Sequence, residues 1–441
     1  MKAYTIKEFQ SFISRKDKEQ VGSDFVVLED KTFDSLEQFI LENQKEPEDD
    51  TQAWQLLSIS VKRGKKVISA RNYVGLITMN DGTMIQILPK LENADDTTAT
   101  KLLKEMLSTV KELPFKSFNT ANVAADRLPL LEVFIRMFLT EVGLLIKRGL
   151  KFGYVEKNNN ERFLKGKLDI NNQIRNNLIH RERVYVQYDD FEANRPENRL
   201  IKSTLQYLKP RIRDSKNLRD CNRYLLIMAD IEESLDIASD FSKCSSGRNM
   251  KEYEQLLQWC RIFLQNRSFT SFKGSEVAFA LLFPMETLFE SFVAEKLKKR
   301  MANTEYYVST QDRGHYLFDQ PRKFALRPDI VVTNKENNSK VILDTKWKVL
   351  SALDRNNYGI AQSDMYQMYI YQKKYNAKKV VLLYPYNSTF ADLKESIIYF
   401  SNEDKPVTIQ VALIDLMNMN DSISQIAAII KKATDNISEN Y

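Results

Sequence analysis

From about residue 275 onward the sequence fixes an order of elements that few folds accommodate, and this order constrains the chain more than any other property. "PMETLFESFVAEKLKKR" (284–300) has apolar residues at helical spacing; Pro284 opens it, and a run of cations closes it where the helix dipole favours positive charge. Three strand-like runs follow, "EYYVSTQ" (305–311), "FALRPDIVV" (324–332) and "KVILDTKWK" (340–348). A second helical pattern, "AQSDMYQMYIYQKKY" (361–375), leads to an apolar strand, "KKVVLLYP" (378–385). The order αβββαβ implies a sheet with helices packed against it.

The rest of the chain reads differently. At 441 residues it is too long for one ordinary core. Residues 1–115 alternate in the β manner, and "VGLITMNDGTMIQILPKL" is a hairpin signal because Asn80-Asp81-Gly82 separates two alternating runs. The acidic "KEPEDDTQ" (45–52) reads as a solvated loop. Residues 116–270 turn helical: "LPLLEVFIRMFLTEVGLLIKRGL" is apolar at i, i+3, i+4 and i+7, and Gly149 is placed to stop it. Its cations Lys202, Lys209, Arg211, Arg213, Lys216, Arg219 and Arg223 suit a solvated helix face and a phosphate-facing surface equally well. The expected fold is α+β and multidomain: a β-rich part at 1–115, a helical middle at 116–270 and an α/β unit at 271–441.

Within that last unit, residues two apart on a strand share a face, so Asp344 and Lys346 are neighbours by construction. Asp329 follows Pro328 at the centre of the preceding run, and a hairpin through "TNKENNS" would bring its carboxylate toward Asp344. Two carboxylates and an ammonium suit phosphodiester hydrolysis. Hard oxygen ligands hold one or two Mg²⁺ ions, and a lysine orients the attacking water or stabilises charge on the phosphate. A third carboxylate is available from Glu290, with Glu286 in reserve one turn earlier on the same helix. The competing interpretation of D-x-K is a solvated strand face. The conjunction of P-D, fifteen residues, D-x-K, the αβββαβ order, and Gln367 with Tyr371 on the next helix favours catalysis.

Several chemistries are excluded. His180 and His315 are the sole histidines, and neither lies near a nucleophile motif. Cys221, Cys244 and Cys260 are too scattered for a zinc cluster or a disulfide framework. No phosphate-binding loop occurs, so any nucleotide hydrolysis belongs to a partner. A net charge of +6 permits a polyanionic ligand without requiring one. Neither a signal core nor a membrane span is legible, and a cytoplasmic protein is expected.

The acidic pattern resembles the PD-(D/E)xK nuclease superfamily, and the wider sequence resembles the McrC family, the nuclease subunits of McrBC-type modification-dependent (type IV) restriction systems for 5-methylcytosine. The resemblance is carried by "NYVGLITMNDGTMIQILPKL", "RGLKFGYVEKNNNERFLKGKLD", "FEANRPENRLIKSTL", "LLFPMETLFESFVAEKL", "RPDIVV", "VILDTKWK" and "SDMYQMYIYQKKY". It implies that 271–441 is a PD-(D/E)xK endonuclease domain. Asp329 and Asp344 would be its metal ligands, Lys346 the catalytic lysine, Glu290 the helix carboxylate and metal ligand, and Gln367 with Tyr371 the Gln-x-x-x-Tyr feature. It also implies a DNA endonuclease using Mg²⁺, activated by a McrB-like AAA+ GTPase hexamer whose GTPase it stimulates. The substrate would be double-stranded DNA bearing modified cytosine, and 1–115 would be the part that docks on the partner. Where many members read L-R-G-R, this chain has Leu164-Lys165-Gly166-Lys167, which keeps charge but not a bidentate guanidinium. The competing functions are a stand-alone repair or recombination nuclease of the superfamily and a non-catalytic activator of a partner NTPase.

Overall fold

The computed structural model describes residues 2–20, 25–43, 57–79, 81–92, 94–110, 129–244, 250–264, 277–351, 354–388, 397–403 and 406–435. The expected loop at 45–52 and Asn80 of the hairpin signal lie outside these residues.

The N-terminal part is built on two four-stranded sheets. One holds Ala3–Lys7, Met84–Leu88, Tyr73–Met79 and Val277–Pro284; the other holds Phe25–Leu28, Ser11–Ser14, Lys65–Ala70 and Leu57–Lys62. Ile6, Ile77, Ile85 and Ile87 from the first pack with Phe12, Leu28 and Ile68 from the second, and the helix Asp30–Asn43 adds Phe33 and Leu36. The expected hairpin forms between Tyr73–Met79 and Met84–Leu88, with Gly82 at φ +82°.

One strand crosses the expected boundary at 271. Val277–Pro284 pairs antiparallel with Tyr73–Met79, so the first sheet is completed by the last third of the chain. Gly75 makes this possible: a Cβ there would lie 1.9 Å from the Leu281 carbonyl oxygen. The strand runs directly into the helix Met285–Arg300, whose first N–H bonds Asn72 O at 2.9 Å.

The middle region is helical as expected in Leu130–Arg148, Pro196–Leu208, Ser215–Ile227 and Lys251–Leu264, with Phe134, Phe138, Trp259 and Phe263 in a shared core. Gly149 ends the first helix at φ +94°. Part of the cationic surface is spent on structure: Lys202 Nζ bonds the Ala229 and Ile231 carbonyls, and Arg211 bonds Tyr207 O. The region is not helical throughout. Gly153–Glu161 and Val184–Glu192 form an antiparallel ribbon joined by Lys167–Leu168 and capped by the helix Ile170–Asn177. These strands read "GYVEKNNNE" and "VYVQYDDFE", polar on both faces over much of their length, so no period of two announces them.

The C-terminal part is a six-stranded sheet in the order Tyr306–Thr310, Ile330–Asn334, Lys340–Thr345, Lys379–Pro385, Thr408–Ile414, Ile398–Phe400. Lys340–Thr345, Lys379–Pro385 and Thr408–Ile414 run parallel, and the remaining neighbours are antiparallel. The helices Met285–Arg300 and Met419–Thr434 cover the face bearing Val341, Leu343, Val381 and Leu383. The helix Gln362–Tyr375 covers the other, bearing Ile342, Val380 and Leu382. The run read as one strand at 324–332 is divided: Arg322–Ala325 pairs with Tyr316–Asp319 in a separate hairpin, and Ile330–Asn334 starts only after Asp329. Among the described residues no helix is long and apolar enough to cross a membrane.

Candidate active site

The site is assembled by one antiparallel register and one helix. Ile330 pairs with Leu343, which sets Asp329, just outside the ladder, beside Asp344. Asp329 therefore sits at the mouth of its strand rather than at the centre. Its Oδ2 accepts hydrogen bonds from Thr345 N (2.8 Å) and Thr345 Oγ1 (2.7 Å), which bind it across the strand pair.

Asp344 is 1% exposed. Lys346 lies one residue past the strand, yet its N–H still bonds Leu383 O at 2.9 Å, so the extended backbone carries its side chain to the Asp344 face. Lys346 Nζ is 2.8 Å from Asp344 Oδ2. That oxygen is buried and receives no well-directed hydrogen bond, so the contact with the ammonium is chiefly electrostatic. Lys346 Nζ also donates to Gln367 Oε1 (3.3 Å), Gln367 Nε2 donates to Tyr371 Oη (2.8 Å), and Tyr371 Oη donates to Arg327 O (3.0 Å). The chain of contacts thus returns to the segment that carries Asp329.

The electrostatics follow from burial. Desolvation, then the charge of Asp329, pushes the Asp344 carboxyl up to about 7 despite Lys346. Desolvation also raises Asp329, against the hydrogen bonds from Thr345. For Lys346, burial acts downward, but the charges of Asp344, Asp364 and Asp329 outweigh it and hold the ammonium protonated. Tyr371 is raised by burial first and by Asp344 next. Two carboxylates that resist simultaneous ionisation beside a fixed cation are perturbed groups of the kind that cluster at functional sites and also occur in structural ion-pair networks.

Asp344, Lys346, Asp329, Gln367 and Tyr371 are thus brought together, while the two helix carboxylates are separated from one another. Glu290 accepts from Gln311 Nε2 (2.6 Å), and Gln311 N donates to Asp329 O (3.0 Å), which leaves Glu290 one residue removed from the pair. Glu286 is exposed and accepts from Asn72 Nδ2 at the N-terminal sheet. Among the described residues no three acidic, histidine or cysteine side chains form a ready metal cage. Two hard carboxylates, one with a buried oxygen lacking a directed hydrogen bond, do fit a divalent cation that keeps much of its water.

Sequence reasoning missed Asp364. It is buried, with Oδ1 3.8 Å from Lys346 Nζ and Oδ2 3.3 Å from Lys348 Nζ. The signal was present: Asp364 precedes Gln367 by three residues and so shares its helix face.

Asp344 and Lys346 at the end of one strand, Asp329 at the mouth of its neighbour and a helix across the sheet face give a mixed α/β protein in which two carboxylates and an ammonium share one site. The chain belongs to the family described as McrBC 5-methylcytosine restriction system component, which matches residues 68–385 and so spans every site residue named above. Its fold is similar to that of a chain in a half-complex from the tetradecameric assembly of Thermococcus gammatolerans McrB AAA+ hexamers with bound McrC, with a TM-score of 0.61, 19% identity, and 97% of this chain and 100% of that chain covered. A chain of the Thermococcus gammatolerans McrBC complex is similar over 68% of this chain and 88% of that one, at 20% identity and a TM-score of 0.45. No curated protein matches the chain.

Proposed function

We propose that the chain is the nuclease subunit of an McrBC-type modification-dependent restriction complex, a DNA endonuclease with a PD-(D/E)xK core. The observation that carries this reading is the half-buried Asp329 beside the buried Asp344, with Lys346 Nζ 2.8 Å from Asp344 Oδ2. Asp329 and Asp344 would hold Mg²⁺, and Glu290 would complete the acidic set from across Gln311. The bound cation would neutralise the scissile phosphate and lower the pKa of water at the site. Lys346 orients the attacking water and stabilises charge on the phosphate oxygens. Gln367 and Tyr371 hold the ammonium in place, and Asp344 first, then Asp364, keep it protonated. Burial of Asp344 strengthens each of these interactions.

The chain carries no phosphate-binding loop, and the Thermococcus assembly contains McrB AAA+ hexamers with bound McrC. A GTPase ring is the corresponding partner here, with modified double-stranded DNA as substrate. Sequence reading assigned docking to residues 1–115, but exposed side chains favour the ribbon at 153–192. There Tyr154 is 78% and Ile179 87% exposed, and Phe163, Ile174, Leu178 and Phe191 are exposed too. Apolar side chains gathered on a solvent-facing element suit a protein interface.

The test is cleavage of methylated and unmethylated duplexes by the full chain with partner, GTP and Mg²⁺. Asp329→Asn, Asp344→Asn and Lys346→Ala should each reduce cleavage by about 100-fold or more. Cleavage by the wild-type chain with Mg²⁺ alone would instead favour the stand-alone nuclease.

A further inference from the structure

The hairpin that interrupts the expected strand has no role in the fold's core. Tyr316–Asp319 and Arg322–Ala325 pair only with each other, and every residue of the second strand is exposed. The hairpin leaves the sheet after Tyr306–Thr310 and returns at Pro328-Asp329, so its base at Leu326 lies three residues from a candidate metal ligand. That base is anchored. Leu326 N bonds His315 O at 2.9 Å and the His315 ring sits 4.1 Å from that of Tyr375, while beside the turn Lys374 Nζ bonds Asp319 Oδ2 at 2.9 Å. Both acids of the segment are engaged in this way, because Asp312 accepts from Tyr375 Oη at 3.0 Å.

Of the cations, Arg322 lies over the Tyr316 ring, 6.0 Å from its centroid. Arg313, Lys323 and Arg327 are exposed and, among the described residues, lie in no salt bridge. Beside them Phe318 (55% exposed) and Phe324 (71% exposed) stack edge to face with centroids 6.0 Å apart. Phe324 sits at φ +57°, a left-handed conformation that a bulky residue rarely adopts and that accompanies functional constraint more often than chance. An apolar protein partner would be served by the phenylalanines alone. Free cations around an aromatic pair, on a two-stranded ribbon narrow enough to enter a groove, match a duplex instead.

We infer that the hairpin 316–325 is a substrate-gripping ribbon, in which Arg313 and Lys323 take backbone phosphates of double-stranded DNA and Phe318 with Phe324 seat against the groove beside the scissile bond. The inference rests on the hydrolytic reading of the Asp329 and Asp344 site for its choice of ligand.

The test is fluorescence anisotropy of a labelled duplex with the full chain, without divalent metal, between about 50 and about 200 mM salt. Arg313→Ala combined with Lys323→Ala should weaken binding about tenfold and lower the slope of log K against log salt by about 2. Phe318→Ala combined with Phe324→Ala should weaken binding by a similar factor and leave the slope unchanged. Circular dichroism should show both double variants folded, since every altered side chain is exposed. Wild-type affinity and slope in both would overturn the inference. So would loss of partner GTPase stimulation with DNA affinity intact, which would make the hairpin a protein-docking element. Asp344→Asn separates the two claims: cleavage at the wild-type rate by that variant defeats the hydrolytic reading, whereas the anisotropy of the hairpin variants judges the ribbon alone.

Discussion

The strand pair around Asp329 and Asp344 and the ribbon at 153–192 are both antiparallel β structure, yet they differ in almost every other respect. The first is sealed between helices, with Ile342 and Leu343 fully buried on opposite faces of one strand. The second has Lys157 bonded to Asp190 and Glu192 across its rungs and, though Val186 is buried, leaves Tyr154, Phe163 and Phe191 in solvent. A buried strand fixes side chains to within one register, because a slip would exchange its two faces, and chemistry needs such fixity. An exposed ribbon offers surface, and its apolar residues remain free for another molecule.

The largest expected effect that sharpens this contrast is Lys346→Ala, which should lower cleavage by about 100-fold or more while leaving partner GTPase stimulation near wild type. Steady-state GTPase and gel-based cleavage assays on one preparation check it. Stimulation falling in step with cleavage would break the division between the two regions. Next is Ile179→Asp with Tyr154→Ala on the ribbon, which should weaken partner binding by at least about tenfold without changing the unfolding midpoint. Analytical ultracentrifugation with the ring measures it, and unchanged affinity would return the docking role to residues 1–115.

Stability should divide the same way. Ile342→Ala should cost about 2–5 kcal/mol in denaturant unfolding, whereas Ile179→Ala should fall within about 0.5 kcal/mol of wild type. The smallest effect concerns Glu8, whose carboxylate accepts from Lys90 N and Trp347 Nε1, each at 3.1 Å, and joins the N-terminal sheet to the residue after Lys346. Burial pushes Glu8 up to about 8. A raised folded pKa stabilises the protein fully below the unfolded value near 4.5 and loses that contribution as pH climbs through 8. Stability should therefore decline as pH rises from about 4.5 to 8, read as a falling melting temperature, and Glu8→Gln should flatten the decline.

How much the sequence revealed follows the same contrast. Asp344, Lys346 and their shared face were legible because period two survives in an apolar strand, and Gln367 with Tyr371 because four residues make one helical turn. Asp329 was placed too deep, since nothing in "FALRPDIVV" marks where one hairpin ends and another strand begins. Glu286 and Glu290 looked equivalent, and only packing against Asn72 on one side and Gln311 on the other separates them. The ribbon was hidden by its polarity, and the strand Val277–Pro284 by a pairing partner some two hundred residues away, a non-local contact that no local pattern announces.

The central claim is that Asp344 serves chemistry rather than the fold. The direct measurement is cleavage of methylated duplex by Asp344→Asn with partner, GTP and Mg²⁺, beside GTPase stimulation on the same sample. Cleavage reduced by about 100-fold or more with stimulation and melting temperature near wild type is the predicted result. Cleavage at the wild-type rate would show that Asp344 and Lys346 are only a structural ion pair.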